Sequence, residues 1–205
     1  MKMMALMSLT MILAAVQGPV HDSRPVILAF GDSLTAGYGV PAGSGYPDQL
    51  QRKLDGMGYK YRIVNMGISG DTTSGGRARM QAALNAMPAI VILELGANDG
   101  LRGLPVPEMQ TNLEEMITKF QKTRAKVILA GMTLPRNYGA AYVKSFEDVF
   151  RNLATKYNLP LIPFFLEGVA GNPKLTLPDF LHPNAEGYKL VTEIVMKTLE
   201  PVLKK

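Results

Sequence analysis

Short, continuous apolar runs rich in β-branched residues recur along the chain: Val26–Phe30, Tyr61–Met66, Ala89–Leu95, Lys126–Gly131 and Leu159–Phe165. Unbroken apolar character, as opposed to alternation, is what a strand covered on both faces requires, so each run predicts an inner strand of a parallel sheet. Between them, apolar residues return every three to four positions with Lys, Arg, Glu and Gln in the gaps. That spacing predicts helices over Tyr46–Leu54, Thr73–Ala86, Pro107–Thr123, Tyr142–Tyr157 and Asn184–Glu200. Strands alternating with helices enforce right-handed crossovers, and the predicted fold is α/β: a three-layer α/β/α sandwich around a mostly parallel five-stranded sheet. In this architecture sites form beyond the carboxyl ends of strands, where strand order reverses.

Length and composition narrow this only slightly. With 205 residues, 47% of them apolar and 19% charged, the chain suits one domain with a sizeable core and shows no repeat or low-complexity tract. Residues 1–20 are set apart. Lys2 is followed by an apolar run through Val16 and by small residues near Ala14, Ala15 and Gly18, the pattern of a cleaved signal peptide, with the cut between about Gln17 and Ser23. The expected mature body is residues 24–205, exported to the periplasm or secreted, without stable membrane insertion, and monomeric. There is no cysteine, which excludes disulfides, thiolate catalysis and Cys-based zinc sites. The net charge of +5 is 22 basic minus 17 acidic residues, spread along the chain without a basic stripe, so no nucleic-acid partner is expected.

Four polar segments follow strands: "GDSL" with Ser33, Gly67–Gly76, Gly96–Gly103 and Asp179–Asn184. Each has an ordinary explanation by itself. Ser33 suits a helix N-cap, Gly70 a turn of positive φ, Asn98-Asp99-Gly100 a turn, and Asp179 and His182 a loop before a helix capped by Asn184. Together they supply an acyl-transfer machinery: a hydroxyl nucleophile, a base titrating near neutrality and a carboxylate to orient it. Of the two histidines, His21 lies beside the leader, which leaves His182 as base, with Asp179 three residues earlier able to turn back onto one imidazole nitrogen. Neither a G-x-G-x-x-G or G-K-[ST] phosphate loop nor a G-x-S-x-G elbow surrounds Ser33. Asp32 is expected to brace the loop, Glu94 to be a paired structural carboxylate, and Met80, Met87, Met109 and Met116 to fill the core.

The blocks "FGDSLTAGYG", "NMGISGDT", "LELGANDGLRG" and "DFLHPNAEGY" occur in order from Phe30 to Tyr188, and the chain resembles the GDSL or SGNH hydrolase family, in its bacterial exported thioesterase, arylesterase and lysophospholipase branch. The resemblance implies a flavodoxin-like strand order. It also implies Ser33 as nucleophile, His182 as general base, Asp179 as its orienting acid, and an oxyanion hole made of the Ser33 and Gly70 N–H groups and the Asn98 amide. Asp99, Gly100, Leu101 and Arg102 of "DGLRG" and Tyr138 of "RNYGAAY" are expected to line the acyl pocket. The implied substrate is a small acyl ester or thioester, cleaved without metal or organic cofactor. A carbohydrate acetylesterase and a non-catalytic binding protein on the same fold are the alternatives.

Overall fold

A computed structural model describes residues 22–205, so the expected signal peptide and His21 lie outside the described residues. Five parallel strands form one sheet: β1 (Val26–Gly31), β2 (Arg62–Gly67), β3 (Pro88–Glu94), β4 (Lys126–Ala130) and β5 (Leu161–Ile162), in the order β2-β1-β3-β4-β5. This is the flavodoxin-like order, with its switch point between β1 and β3. All six residues of β1 are buried, whereas β2, an edge strand, is half-covered.

The helices are α1 (Ser33–Ala36), α2 (Tyr46–Gly56), α3 (Thr73–Ala78), α4 (Met80–Asn85), α5 (Ala97–Leu101), α6 (Val106–Lys122), α7 (Ala140–Tyr157) and α8 (Ala185–Leu199). Right-handed crossovers place them in two layers: α2 packs on α8 over one face, while α3 touches α6 and α6 touches α7 over the other. The core between sheet and helices is aromatic-rich, with Phe30 edge-on to Phe120, Phe146 to Phe150 and Tyr46 to Phe165.

Three local expectations give way to backbone chemistry. The predicted helix over Thr73–Ala86 is two helices, α3 and α4, separated at Arg79 (φ −102°, ψ 14°). Arg79 is held elsewhere: its guanidinium bonds the Asp71 carboxylate (2.7 Å) and the Met66 (2.7 Å) and Gly31 (2.9 Å) carbonyls, and lies 3.9 Å over the Phe30 ring. The predicted strand Leu159–Phe165 contracts to Leu161–Ile162, because Pro160 and Pro163 have no N–H to give to a ladder. Met87 is 81% exposed, because α4 ends at Asn85 and Met87 turns the chain into β3 at φ 48°, while Met80, Met109 and Met116 are in the core.

Candidate active site

The site is built at the switch point, from the residues that directly follow β1 and β3 and from the segment before α8. Ser33 is the first residue of α1, and the helix cap is its neighbour: Asp32 Oδ1 accepts from the Leu34 N–H at 3.0 Å. Capping by Asp32 leaves the Ser33 hydroxyl available. Its Oγ lies 2.8 Å from His182 Nε2, and His182 Nδ1 lies 2.7 Å from Asp179 Oδ2. An ionised carboxylate only accepts, so the proton sits on Nδ1 and Nε2 is left to accept from the serine hydroxyl.

The loop that carries this pair is held locally. Asp179 Oδ1 accepts from the Leu181 (2.9 Å) and His182 (3.0 Å) N–H groups, a turn in which Phe180 takes φ 58°. Leu177 N–H bonds the His182 carbonyl at 2.8 Å, Asn184 caps α8 through the Gly187 N–H, and the Tyr38 ring lies against the imidazole at 4.7 Å. Burial pushes the Asp179 carboxyl up, but the two backbone N–H groups and His182 outweigh it and hold it below its usual range.

Behind Ser33 lie two more carboxyls. Glu94, the last residue of β3, is fully buried and accepts at Oε2 from the Thr35 hydroxyl (2.8 Å) and the Asp32 N–H (3.3 Å), while its Oε1 has no partner among the described residues. Its hydrogen-bond partners are neutral donors, so the expected structural pairing is made by hydrogen bonds from Thr35 and Asp32. Burial, reinforced by the Asp32 charge, holds Glu94 well above the ordinary carboxylate range; burial likewise pushes Asp32 up to about 6. Asn98, on α5, donates from Nδ2 to Asp32 Oδ2 at 3.0 Å. Gly70 occupies a turn at φ 81°, where L side chains are strained, and its carbonyl accepts from Arg102.

Ser33, Asn98 and His182 line a cavity of about 450 Å³ together with Leu34, Leu101, Met132, Leu134, Phe164 and Leu166. Of the five expected pocket residues only Leu101 lines it. Asp99 is buried and binds the Thr73 N–H (2.8 Å) and hydroxyl (2.6 Å). Gly100 packs against Leu134 and Phe146, where an added Cβ would lie 2.7 Å from each. Arg102 reaches Gly70 O, and the Tyr138 hydroxyl bonds Leu101 O at 2.9 Å, so both brace loops from outside the cavity. Met132, Phe164 and Leu166 escaped sequence reading because apolar residues after a strand look the same whether they line a cavity or fill a core. Among the described residues no three His, Asp or Glu side chains cluster to hold a metal, and no helix is long and apolar enough to cross a membrane.

Known proteins are similar to this chain in sequence and fold. The chain is 43% identical over 178 residues to esterase TesA of Pseudomonas aeruginosa, covering 86% of this chain and 89% of the relative. It is 35% identical over 178 residues to thioesterase 1/protease 1/lysophospholipase L1 of Escherichia coli K12, covering 86% and 84%. The crystal structure of TesA superposes with a TM-score of 0.84 at 42% identity, covering 87% of this chain and 99% of that one. Residues 29–190 match the GDSL-like lipase/acylhydrolase family, and the chain belongs to that family of serine ester hydrolases.

Proposed function

We propose that Ser33 is the nucleophile of a carboxylic ester and thioester hydrolase, with His182 as general base and Asp179 orienting it, and with an oxyanion hole made of the Ser33 N–H, the Gly70 N–H and the Asn98 amide. The unbroken hydrogen-bond chain Asp179–His182–Ser33, whose last two members line a largely apolar cavity, carries this reading. His182 Nε2 takes the hydroxyl proton as Ser33 Oγ attacks the acyl carbonyl. The tetrahedral oxyanion is held by the three donors, and the imidazolium passes the proton to the leaving alcohol or thiol as the C–O or C–S bond breaks. Water then enters, gives a proton to His182 and attacks the acyl-enzyme; the collapsing intermediate releases the acid and returns the proton to Ser33.

The apolar cavity favours fatty acyl groups over the acetyl group of a carbohydrate acetylesterase, since an acetyl group would leave most of the wall unfilled. Aryl esters of fatty acids, acyl thioesters and lysophospholipids all present such a chain with a carbonyl at its end. A p-nitrophenyl ester series and an acyl-CoA series are the test: kcat/KM rises from acetyl to longer chains, and Ser33→Ala falls to background. Equal rates in wild type and Ser33→Ala would leave only a non-catalytic binding protein. The same reading has the protein act outside the cytoplasm after removal of its leader, and N-terminal sequencing of the extracytoplasmic protein is expected to begin between about Gln17 and Ser23; an intact Met1 there overturns cleavage.

A further inference from the structure

An asparagine amide is a useful oxyanion donor only while its nitrogen, and not its oxygen, faces the reaction. Nothing in the residue itself sets this, because the two ends of the amide have nearly the same shape. In this protein the buried Asp32 carboxylate decides it. Asp32 Oδ2 meets Asn98 Nδ2 at 3.0 Å, and its other oxygen is already taken by the Leu34 N–H at 3.0 Å. Asp32 is 1% exposed, so bulk water does not compete for either bond. Its own N–H is held by Glu94 Oε2, which Thr35 also binds, so the carboxylate is fixed from behind.

We propose that Asp32 is a positioning residue of the oxyanion hole: it locks the Asn98 amide with nitrogen towards the reacting carbonyl and ties that amide to the turn that carries Ser33. This rests on the reading of Asn98 as an oxyanion donor. One N–H of Nδ2 is consumed by Asp32, and the second is left for the developing oxyanion in the cavity that Asn98 and Ser33 both line. The two oxygens of one carboxylate thus join α1, after β1, to α5, after β3, across the switch point.

Asp32→Asn is the discriminating change because it keeps shape and volume but offers a single acceptor. With the cap bond to Leu34 retained, the new NH₂ faces Asn98 and turns its amide over, placing a carbonyl oxygen where the N–H stood. The experiment is a double-mutant cycle of Asp32→Asn and Asn98→Ala, read as kcat and KM on a p-nitrophenyl ester. Each single variant is expected to lose about a hundred- to a thousandfold in kcat with little change in KM, the scale of one oxyanion donor, and the double variant is expected to be no slower than Asn98→Ala. Losses that multiply would show that Asp32 acts independently of Asn98 and would overturn the proposal alone. Unchanged kcat in Asn98→Ala would remove the oxyanion role and the proposal with it, leaving the nucleophile assignment to the Ser33→Ala test. Should Asp32→Asn fail to fold, Asp32→Ser keeps an oxygen for the Leu34 cap but is too short to reach Asn98; it is expected to show the same kcat loss, and wild-type kcat there overturns the proposal.

Discussion

Asp179 shows how much one side chain settles at the smallest scale. One oxygen takes two backbone N–H groups and so shapes the turn that carries His182; the other takes the imidazole N–H and so chooses the tautomer. An asparagine here has only one oxygen for these two tasks. Asp179→Asn is therefore expected to lower kcat by about a hundred- to ten-thousandfold, the upper figure being that of a fully buried triad acid, while KM moves little. Steady-state kinetics on a chromogenic ester measure it, and a loss under tenfold would mean that the imidazole is held adequately by its backbone. Because the folded Asp179 titrates below its ordinary range, its contribution to folding is present above the unfolded carboxylate pKa and is lost as pH falls through the lower folded value. Ser33, Asp179 and His182 were all readable as residues, since each chemistry-bearing type follows a strand or precedes a helix. Asp99 and Arg102 were equally visible and equally polar, yet they brace the structure, because the partners that occupy them, Thr73 and Gly70, lie about thirty residues back along the chain and leave no local mark.

At the scale of elements, alternation of apolar runs was enough to place every strand and the long helices, but not to see where a helix must break. The apolar spacing of Thr73–Ala86 continues across Arg79 undisturbed. What interrupts it is a guanidinium bound to two strand-end carbonyls and a carboxylate, with a phenyl ring beneath it. The two carbonyls sit at the carboxyl ends of β1 and β2, so Arg79 ties the helical layer to the strand ends. Lysine's donors all radiate from one nitrogen and cannot span acceptors that Nε, Nη1 and Nη2 reach separately, and its point charge cannot lie flat on Phe30. Arg79→Lys is expected to cost about 1–3 kcal/mol, as half-buried carbonyls lose a donor, which at this chain length lowers Tm by about 2–4 °C for each kcal/mol. Thermal unfolding of the two proteins measures the difference, and an unchanged Tm would assign the break to the helix sequence itself, to Gly75 and Gly76.

On the scale of the whole molecule, the parallel sheet gathers polar groups at one end of an otherwise apolar core, and two carboxyls, Asp32 and Glu94, come to lie side by side next to Ser33. The fold that does this was legible, because parallel order follows from strand-helix alternation. The cavity was not, because its wall uses the residue types of the core, and neither was the Asp32–Asn98 bond, which only the meeting of β1 with β3 creates. The same meeting makes stability depend on pH. Glu94 ionises in the unfolded chain near the ordinary glutamate pKa but is held protonated far above it when folded. The folded state therefore binds the extra proton, so stability is fully present below the unfolded pKa and declines as pH rises towards the folded one. Glu94→Gln mimics the protonated form without titrating: its amide oxygen can accept from Asp32 N–H and Thr35, and its nitrogen takes the place of Oε1, which has no partner among the described residues. Asp32 is present in both proteins, so their difference reports Glu94 and its coupling to that neighbour. Between pH 4.5 and 8 the wild type is expected to lose stability relative to Glu94→Gln, by at most about 1.4 kcal/mol per pH unit. Chemical denaturation across that range measures the slope. A constant difference would mean that Glu94 titrates normally in the folded protein, and that water or Tyr188 solvates its charge at the base of the site.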